Sequence, residues 1–189
     1  MVATRSLPSQ KYLRECFDYD PATGELRWRA RPLAHFVKKG RPTWLTRRMQ
    51  AAFTAACEGR QFGTVKLAGL GRTGKLDGVY RKAHRLIFKW MAGVDPIQVD
   101  HRDRNPLNNR WDNLRNATQS QNQANVGAMR HNQMGLKGVK RAPCSQNYIA
   151  RISVDGCHVH LGVFSTPEAA HAAYLTAARA RWGEFAAGE

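Results

Sequence analysis

The chain has 189 residues, with 30 Lys and Arg against 14 Asp and Glu, which leaves a formal net charge of +16. A chain of this length forms one or two domains, and so large a basic excess indicates a polyanionic partner, most often nucleic acid, rather than a small acidic metabolite. Hydrophobic residues make up 42% of the sequence, which excludes a disordered basic tail. No apolar run reaches the roughly 20 residues that a membrane span requires.

The first part of the chain, residues 1–93, contains short elements separated by turn residues. The spacing of its apolar residues predicts a helix over 9–17, a strand at 26–28, strands within 62–85 around a turn at 69–74, and a helix over 83–91 that stops at Gly93. The sequence therefore predicts a basic N-terminal region built of a short helix and hairpins.

Basic residues are concentrated between positions 27 and 48, where eight Lys and Arg occur without an acid. Trp28, Phe36 and Trp44 are interspersed among them. Two interpretations are open: a solvated loop with a few apolar anchors, or an arm that follows a nucleic-acid backbone and neutralises phosphates. The net charge favours the arm, and its predicted DNA contacts are Arg27, Arg29, Arg31, Lys38 and Lys39.

The four cysteines at positions 16, 57, 144 and 157 are scattered and form no Cys-x-x-Cys pair. A structural zinc ribbon needs such close pairs, so it is not expected. The first residues also lack the apolar core of a secretory signal. We therefore expect reduced thiols and a cytoplasmic protein.

The Asn-rich segment 99–125 has the composition of a loop but the spacing of a small motif. A short strand is predicted to end at Asp100 and His101, and a second strand begins near Asn113. Thr118, with Gln three residues later, predicts a capping box, so that Asn122 lies one turn inside a helix. A hairpin that faces this helix can bring Asp100, His101, Asn113 and Asn122 into one cleft.

These four residue types suit phosphodiester hydrolysis. Asp100 and the side-chain oxygen of Asn122 are hard ligands for Mg²⁺ or Mn²⁺. A neutral His101 can act as a base near pH 7, and Asn113 can hold the loop and orient the imidazole. His84, upstream, is expected to pack or cap the following helix rather than to approach DNA.

The pattern Asp100-His101, Asn113-Leu114-Arg115 and Asn122 resembles the HNH endonucleases, particularly the phage and intron-borne homing type. The resemblance implies a ββα-metal (His-Me finger) core over residues 94–127, with His101 as general base and Asn113 as the middle residue of the motif. It also implies one divalent metal ion, Mg²⁺ or Mn²⁺, held by Asp100 and Asn122. Many HNH enzymes carry His at the last position, and the Asn variant is that of the intron-borne subgroup.

The C-terminal part of the chain alternates like paired strands and ends in a helix. Alternation over 148–154, the Asp-Gly turn at 155–156 and a second run over 158–164 predict a hairpin. Thr166 followed by Pro167 predicts a helix start, and the Ala-rich segment to residue 181 predicts its length.

Residues 135–187 resemble the Apetala/ethylene-response-factor (ERF) DNA-binding domain, on the segments Leu161-Gly162-Val163-Phe164 and Thr166–Ala170. The resemblance implies a three-stranded antiparallel sheet in the major groove, backed by one helix. Carried over by position, the DNA-facing residues are Lys137, Lys140, Arg141, Arg151, Ser153, His158 and His160. The family usually has Arg and Trp on this face, and Cys144 stands near a typical Trp position, so phosphate contact is expected over base reading.

The predicted organisation is an α+β chain in four parts: a basic region over 1–93, the HNH core over 94–127, a linker over 128–134 and the ERF-like domain over 135–187. The predicted function is a metal-dependent HNH endonuclease that hydrolyses phosphodiesters in double-stranded DNA. It is expected to act as a monomer in the cytoplasm of a phage host, without a membrane or a small-molecule cofactor. The alternatives are a transcription-factor-like DNA binder with an inactive nuclease remnant and a phage protein that uses HNH chemistry in genome packaging.

Overall fold

The computed structural model describes residues 6–65, 71–128, 132, 134–143 and 145–187. The chain divides into two compact units, of which the first ends at Asn116 and the second begins at Ala117. This division falls inside the segment 94–127 that the sequence predicts as the nuclease core. Cys144 and the first two positions of the predicted turn at 69–74 lie outside the described residues.

The first unit consists of three small sheets and three α-helices among the described residues. Its elements are α1 (Gln10–Cys16), β1 (Phe17–Asp20), β2 (Glu25–Trp28), α2 (Thr43–Cys57), β3 (Thr64–Val65), β4 (Arg72–Leu76), β5 (Val79–Lys82), α3 (Ala83–Ala92), β6 (Gln98–His101) and β7 (Leu114–Ala117). The sheets have the strand orders β1-β2, β3-β4-β5 and β6-β7.

Local signals account for several of these boundaries. The Ser9 hydroxyl accepts a hydrogen bond from the backbone N–H of Tyr12 and caps α1. Helix α3 ends at Gly93, whose φ of +76° is the left-handed conformation that glycine adopts at little cost. The helices predicted over 9–17 and 83–91 are therefore confirmed.

The core of the first unit lies between α1, α3 and the β1-β2 hairpin. Leu13, Phe17, Phe62, Leu86 and Ile87 are almost completely buried there. Val99 and Leu114, which flank the motif residues, belong to the same cluster. The strands that carry the motif are thus anchored on the main hydrophobic core of the unit.

The structure changes two parts of the N-terminal prediction. Strand β4 begins at Arg72, inside the turn predicted at 69–74, and a further turn lies at Asp77–Gly78, where both residues have positive φ. The last part of the segment predicted as a DNA-contacting arm belongs to the 15-residue helix α2. This helix lacks the usual start signals, because no side chain caps it at Pro42 and it contains no acid.

The second unit contains α4 (Gln119–Asn125), β8 (Val139–Arg141), β9 (Tyr148–Val154), β10 (Cys157–Phe164) and α5 (Pro167–Trp182). The three strands form an antiparallel sheet in the order β10-β9-β8, and α5 packs on it. Ala150, Ile152, Ala170, Tyr174 and Ala178 are buried between sheet and helix. The predicted three-stranded sheet backed by one helix is therefore present.

Among the residues that the structure describes, no helix combines the length and the apolar content that crossing a bilayer requires.

Candidate active site

His101 is the last residue of β6, and its imidazole is buried, with 8% of the residue exposed. Its Nε2 lies 3.1 Å from the side-chain oxygen of Asn109, which is itself 3% exposed. Because an amide oxygen can only accept, Nε2 is the donor in this bond. Proton exchange at this ring would therefore take place at Nδ1.

The loop between His101 and β7 is held by Asn113, as the sequence predicts for the middle residue of the motif. The Asn113 amide donates to Asp103 Oδ1 (2.9 Å) and to the carbonyl oxygen of Asn108 (2.7 Å), and its own oxygen accepts from the backbone N–H of Asp103 (3.0 Å). Burial opposes ionisation of Asp103, but hydrogen bonds from Asn105, Asn108 and Asn113 lower its pKa overall. Asn113 therefore reaches His101 only through the loop.

Asn109, not Asn113, contacts the imidazole, and the β1-β2 hairpin fixes its position. The Tyr19 hydroxyl donates to the carbonyl oxygen of Asn109 at 2.8 Å. Gly24, with φ +77°, lies so close that a Cβ there would be 2.5 Å from the backbone of Asn109 and Arg110. Nothing local in the sequence distinguishes Asn109 from the neighbouring asparagines, so its role could not be predicted from the motif.

Asp100 forms a buried ion pair with Arg115 of β7. The guanidinium donates from Nε at 2.8 Å and from a terminal nitrogen at 2.7 Å, both to Oδ2. Asp100 is 4% exposed and Arg115 is 7% exposed. Charge-assisted bonds of this length fix the orientation of the carboxylate beside His101. The sequence included Arg115 in the motif but assigned it no role.

His84, on the first turn of α3, stands edge-on to His101, with ring centroids 5.2 Å apart. It is 8% exposed, and within the described residues its Nδ1 has no hydrogen-bond partner. Burial, followed by the nearby His101, Lys82 and Arg85, lowers the pKa of His84 to about 3. His84 therefore packs beside the candidate base, and its Nδ1 has no hydrogen-bond partner within the described residues.

The buried, neutral His84 should make the fold sensitive to acid. Because its folded pKa lies below the unfolded value, the unfolded chain binds more protons as the pH falls below about 6.5, and stability decreases by at most about 1.4 kcal/mol per pH unit. We expect His84→Phe to flatten the dependence of the free energy of unfolding on pH between about 6.5 and 4.5, above the range where Asp103 titrates. Urea unfolding at several pH values measures this, and an unchanged slope would assign the acid sensitivity to other groups.

The fourth residue of the predicted cleft, Asn122, lies on α4 and so belongs to the second unit. The predicted capping box is present, because the Thr118 hydroxyl accepts from the Gln121 N–H and the Gln121 side chain accepts from the Thr118 N–H. Asn122 is half-buried within this helix. The structure brings Asp100, His101 and Asn113 together on the first unit, and the assembly of β6, β7 and α4 into one ββα-metal core stays a prediction.

Among the predicted DNA contacts of the N-terminal region, Arg31 is placed differently from the rest. It is 5% exposed, pairs with Asp77 at 2.8 Å, and its guanidinium lies over the rings of Phe36 and Phe53. Burial opposes the charge, but the hydrogen bond to Asp77 raises the pKa of Arg31 overall. Arg31 is thus a buried structural cation, and in this conformation it cannot contact DNA.

The other four residues of that set are exposed. Arg27 pairs with Glu25 at 2.5 Å and Arg29 with Asp18 at 3.5 Å. Among the described residues, no carboxylate lies within ion-pair distance of Lys38 or Lys39. These two lysines therefore offer their charge to a partner more readily than the two arginines.

The outer face of the β8-β9-β10 sheet collects most of the predicted contacts in the second unit. Arg151 lies directly opposite His160, and Ser153 directly opposite His158, on adjacent strands. All four are exposed, whereas Ala150 and Ile152 between them are buried. Lys140 and Arg141, on β8, are exposed as well. The alternation predicted for β9 is confirmed.

Lys137, predicted to face DNA with this sheet, lies outside its strands, because β8 begins only at Val139. Its ammonium donates to three carbonyl oxygens at the C-terminal end of α4, at 2.5 to 2.9 Å. A cation at that end satisfies orphan carbonyls and the helix dipole. Lys137 therefore caps α4.

Residues 81–124, which contain all of the motif positions, match the family model described as HNH endonuclease, so the chain carries an HNH endonuclease domain there. Over 81 residues the chain is 33% identical to Protein 3.8 of Escherichia phage T7, an alignment that covers 41% of this chain and 67% of that protein. The chain belongs to the same family as Protein 3.8. No solved structure matches it significantly.

Proposed function

We propose that the protein is a metal-dependent endonuclease that hydrolyses phosphodiester bonds in double-stranded DNA, of the phage or intron-borne homing type. One observation carries the proposal: within the HNH segment, His101 is buried and its imidazole is held by the side chain of Asn109. Next to it in the chain, the Asp100 carboxylate is held by Arg115. Base and candidate ligand are thus both oriented before a substrate binds.

In the proposed reaction, a water molecule attacks the scissile phosphorus and His101 Nδ1 takes its proton. The bond between phosphorus and the 3′ oxygen breaks, and the leaving oxygen acquires a proton to give a 3′-hydroxyl and a 5′-phosphate. The imidazolium that forms still donates from Nε2 to Asn109, so the ring need not turn as its charge changes. Asn109 is then a positioning residue for the base.

Both predicted ligands, Asp100 and Asn122, are oxygen donors, and this chemistry suits a divalent metal. Mg²⁺ binds proteins through one or two carboxylates, with water and substrate phosphate completing its shell. Asp100 supplies one such carboxylate, and Asn122 would supply an amide oxygen. When bound, Mg²⁺ or Mn²⁺ supplies positive charge to the scissile phosphate and the leaving 3′ oxygen.

The basic surfaces of both units support DNA as the substrate. The outer face of the β8-β9-β10 sheet presents Arg151 and His160 on an antiparallel surface, and strands of such a sheet can enter a major groove, as the resemblance to the Apetala/ERF domain implies. Lys38 and Lys39 would add phosphate contacts from the first unit. We place the action of the protein, as a monomer, in the host cell of a phage.

Incubation of the full chain with supercoiled plasmid and Mg²⁺ or Mn²⁺ tests the proposal. We expect nicked or linear plasmid with either ion, ends that carry 5′-phosphate, and no product in EDTA. Binding to the plasmid without cleavage, across both metals and a library of candidate sites, would favour the alternative of a DNA-binding protein with an inactive nuclease remnant.

A further inference from the structure

Helix α2 presents two faces of different chemistry. Its inner face, at helical spacing, consists of Thr46, Gln50, Phe53 and Cys57, which are buried or half-buried. Phe53 packs against Trp28, with ring centroids 5.1 Å apart, and the Gln50 amide donates to a backbone carbonyl at 2.9 Å. One side of the helix is therefore fixed on the first unit.

The outer face of α2 is exposed to solvent. Trp44, Arg48, Ala51 and Ala55 follow one another at i, i+4, i+7 and i+11 and form a single stripe, with Arg47 beside it. Trp44 alone is 64% exposed. Neither arginine pairs with a carboxylate among the described residues, and the helix contains no acid from Thr43 to Cys57.

From this face we infer that α2 enters the major groove of double-stranded DNA and reads base edges there. The inference rests on the proposed function only in taking DNA as the partner. Arginine is the side chain that most often reads guanine in this groove, and alanine and aromatic side chains contact the thymine methyl. Small residues at positions 51 and 55 let the helix backbone approach the bases closely.

The dimensions and charge of the surroundings agree with this partner. A 15-residue helix is about 22 Å long and, with its side chains, about 10–12 Å wide, which matches a major groove about 12 Å across. Lys38 and Lys39 lie in the exposed segment just before α2, where they can contact phosphates on the groove edge. Charge complementarity along this whole segment thus favours a polyanion over an apolar partner.

Arg31 contributes to this surface indirectly. Its guanidinium is paired with Asp77 and packs against the ring of Phe53. The backbone carbonyl oxygen of Arg31 accepts the hydrogen bond from the Gln50 amide. The buried ion pair therefore sets the position of the helix, while the exposed arginines remain free of acidic partners among the described residues. The inference therefore assigns the reading of DNA base edges to the first unit, which also carries His101, the candidate general base.

The test measures binding rather than cleavage. The full chain with His101→Ala, in EDTA, selects sites from a random double-stranded DNA library, and dissociation constants are then measured for the selected site and for a scrambled one. We expect Arg48→Ala and Trp44→Ala to reduce the ratio of the two constants at least about fivefold, as loss of a base contact does. Arg179→Ala removes the same charge from an exposed position on α5 and should change the ratio less than twofold.

Three results would overturn the inference: no enriched site, equal weakening of both DNAs by Arg48→Ala, or equal effects of Arg48→Ala and Arg179→Ala. Equal weakening of binding to both DNAs would mean that α2 contacts only the phosphates and reads no base edges. Lys39→Ala provides the comparison, because a phosphate contact should weaken both DNAs together and reduce the salt slope by about one. Since no cleavage enters the measurement, a protein that fails to cut plasmid can pass this test, and one that cuts can fail it.

Discussion

Replacing His101 by alanine is expected to lower the rate of plasmid cleavage by about 10²- to 10⁴-fold, the usual contribution of a general base. Binding to DNA should stay close to that of the unsubstituted chain, because the imidazole is buried and the net charge of +16 is unchanged. Single-turnover cleavage and a gel-shift titration measure the two quantities. A cleavage rate within threefold of the unsubstituted value would place the base elsewhere.

Asn109→Ala provides a graded control for the same site. The base remains, but its Nε2 loses the acceptor that fixes tautomer and ring orientation. We expect a loss of cleavage that is smaller than for His101→Ala, with no further loss when both substitutions are combined, since the two residues act as one unit. Independent, additive effects would contradict the positioning role of Asn109.

Replacing Arg115 by alanine is expected to destabilise the fold by about 3–5 kcal/mol, because the Asp100 carboxylate is left buried without its partner. Cleavage should be lost as well, since the carboxylate loses the two bonds that orient it. Urea unfolding followed by tryptophan fluorescence, in EDTA so that no bound metal contributes, measures the change. A loss below about 1 kcal/mol would show that Asp100 is not held in this way.

Two further variants separate the structural role of the pair from its chemical role. Arg115→Lys keeps the charge but cannot donate from two guanidinium nitrogens to Asp100, so an intermediate loss of stability is expected. The double variant Asp100→Leu/Arg115→Met removes both charges at similar volume and should recover much of the stability, yet cleave no DNA. Recovery of cleavage along with stability would rule out Asp100 as a metal ligand.

Features with local causes could be predicted from the sequence. The capping box at Thr118, the turn before β10 and the alternation of β9 each depend on residues a few positions apart. The same holds for the HNH motif, since Asp100 lies on β6 and Asn113 directly precedes β7, the strand that pairs with β6. Such patterns are visible in sequence because the interactions that produce them span only a turn or a hairpin.

The roles of individual charged and amide side chains could not be predicted in the same way. Arg31 looks like its neighbours in a basic run, and only Asp77, 46 positions later, makes it a buried structural cation. Lys137 was expected to face DNA, and only its proximity to the end of α4 makes it a helix cap. Asn109 became the partner of His101 through Tyr19 and Gly24, which lie far upstream.

The sequence by itself determined that the protein is strongly basic, that it carries an HNH segment, and that strands, turns and caps occur at most of the observed positions. The tertiary structure decided which of many similar cations are buried, which asparagine holds the base, and that α2 exists and leaves Trp44 and Arg48 exposed. The physical reason is range: helix, turn and strand patterns arise from neighbouring residues, whereas burial and ion pairing are set by partners that the chain brings together only on folding.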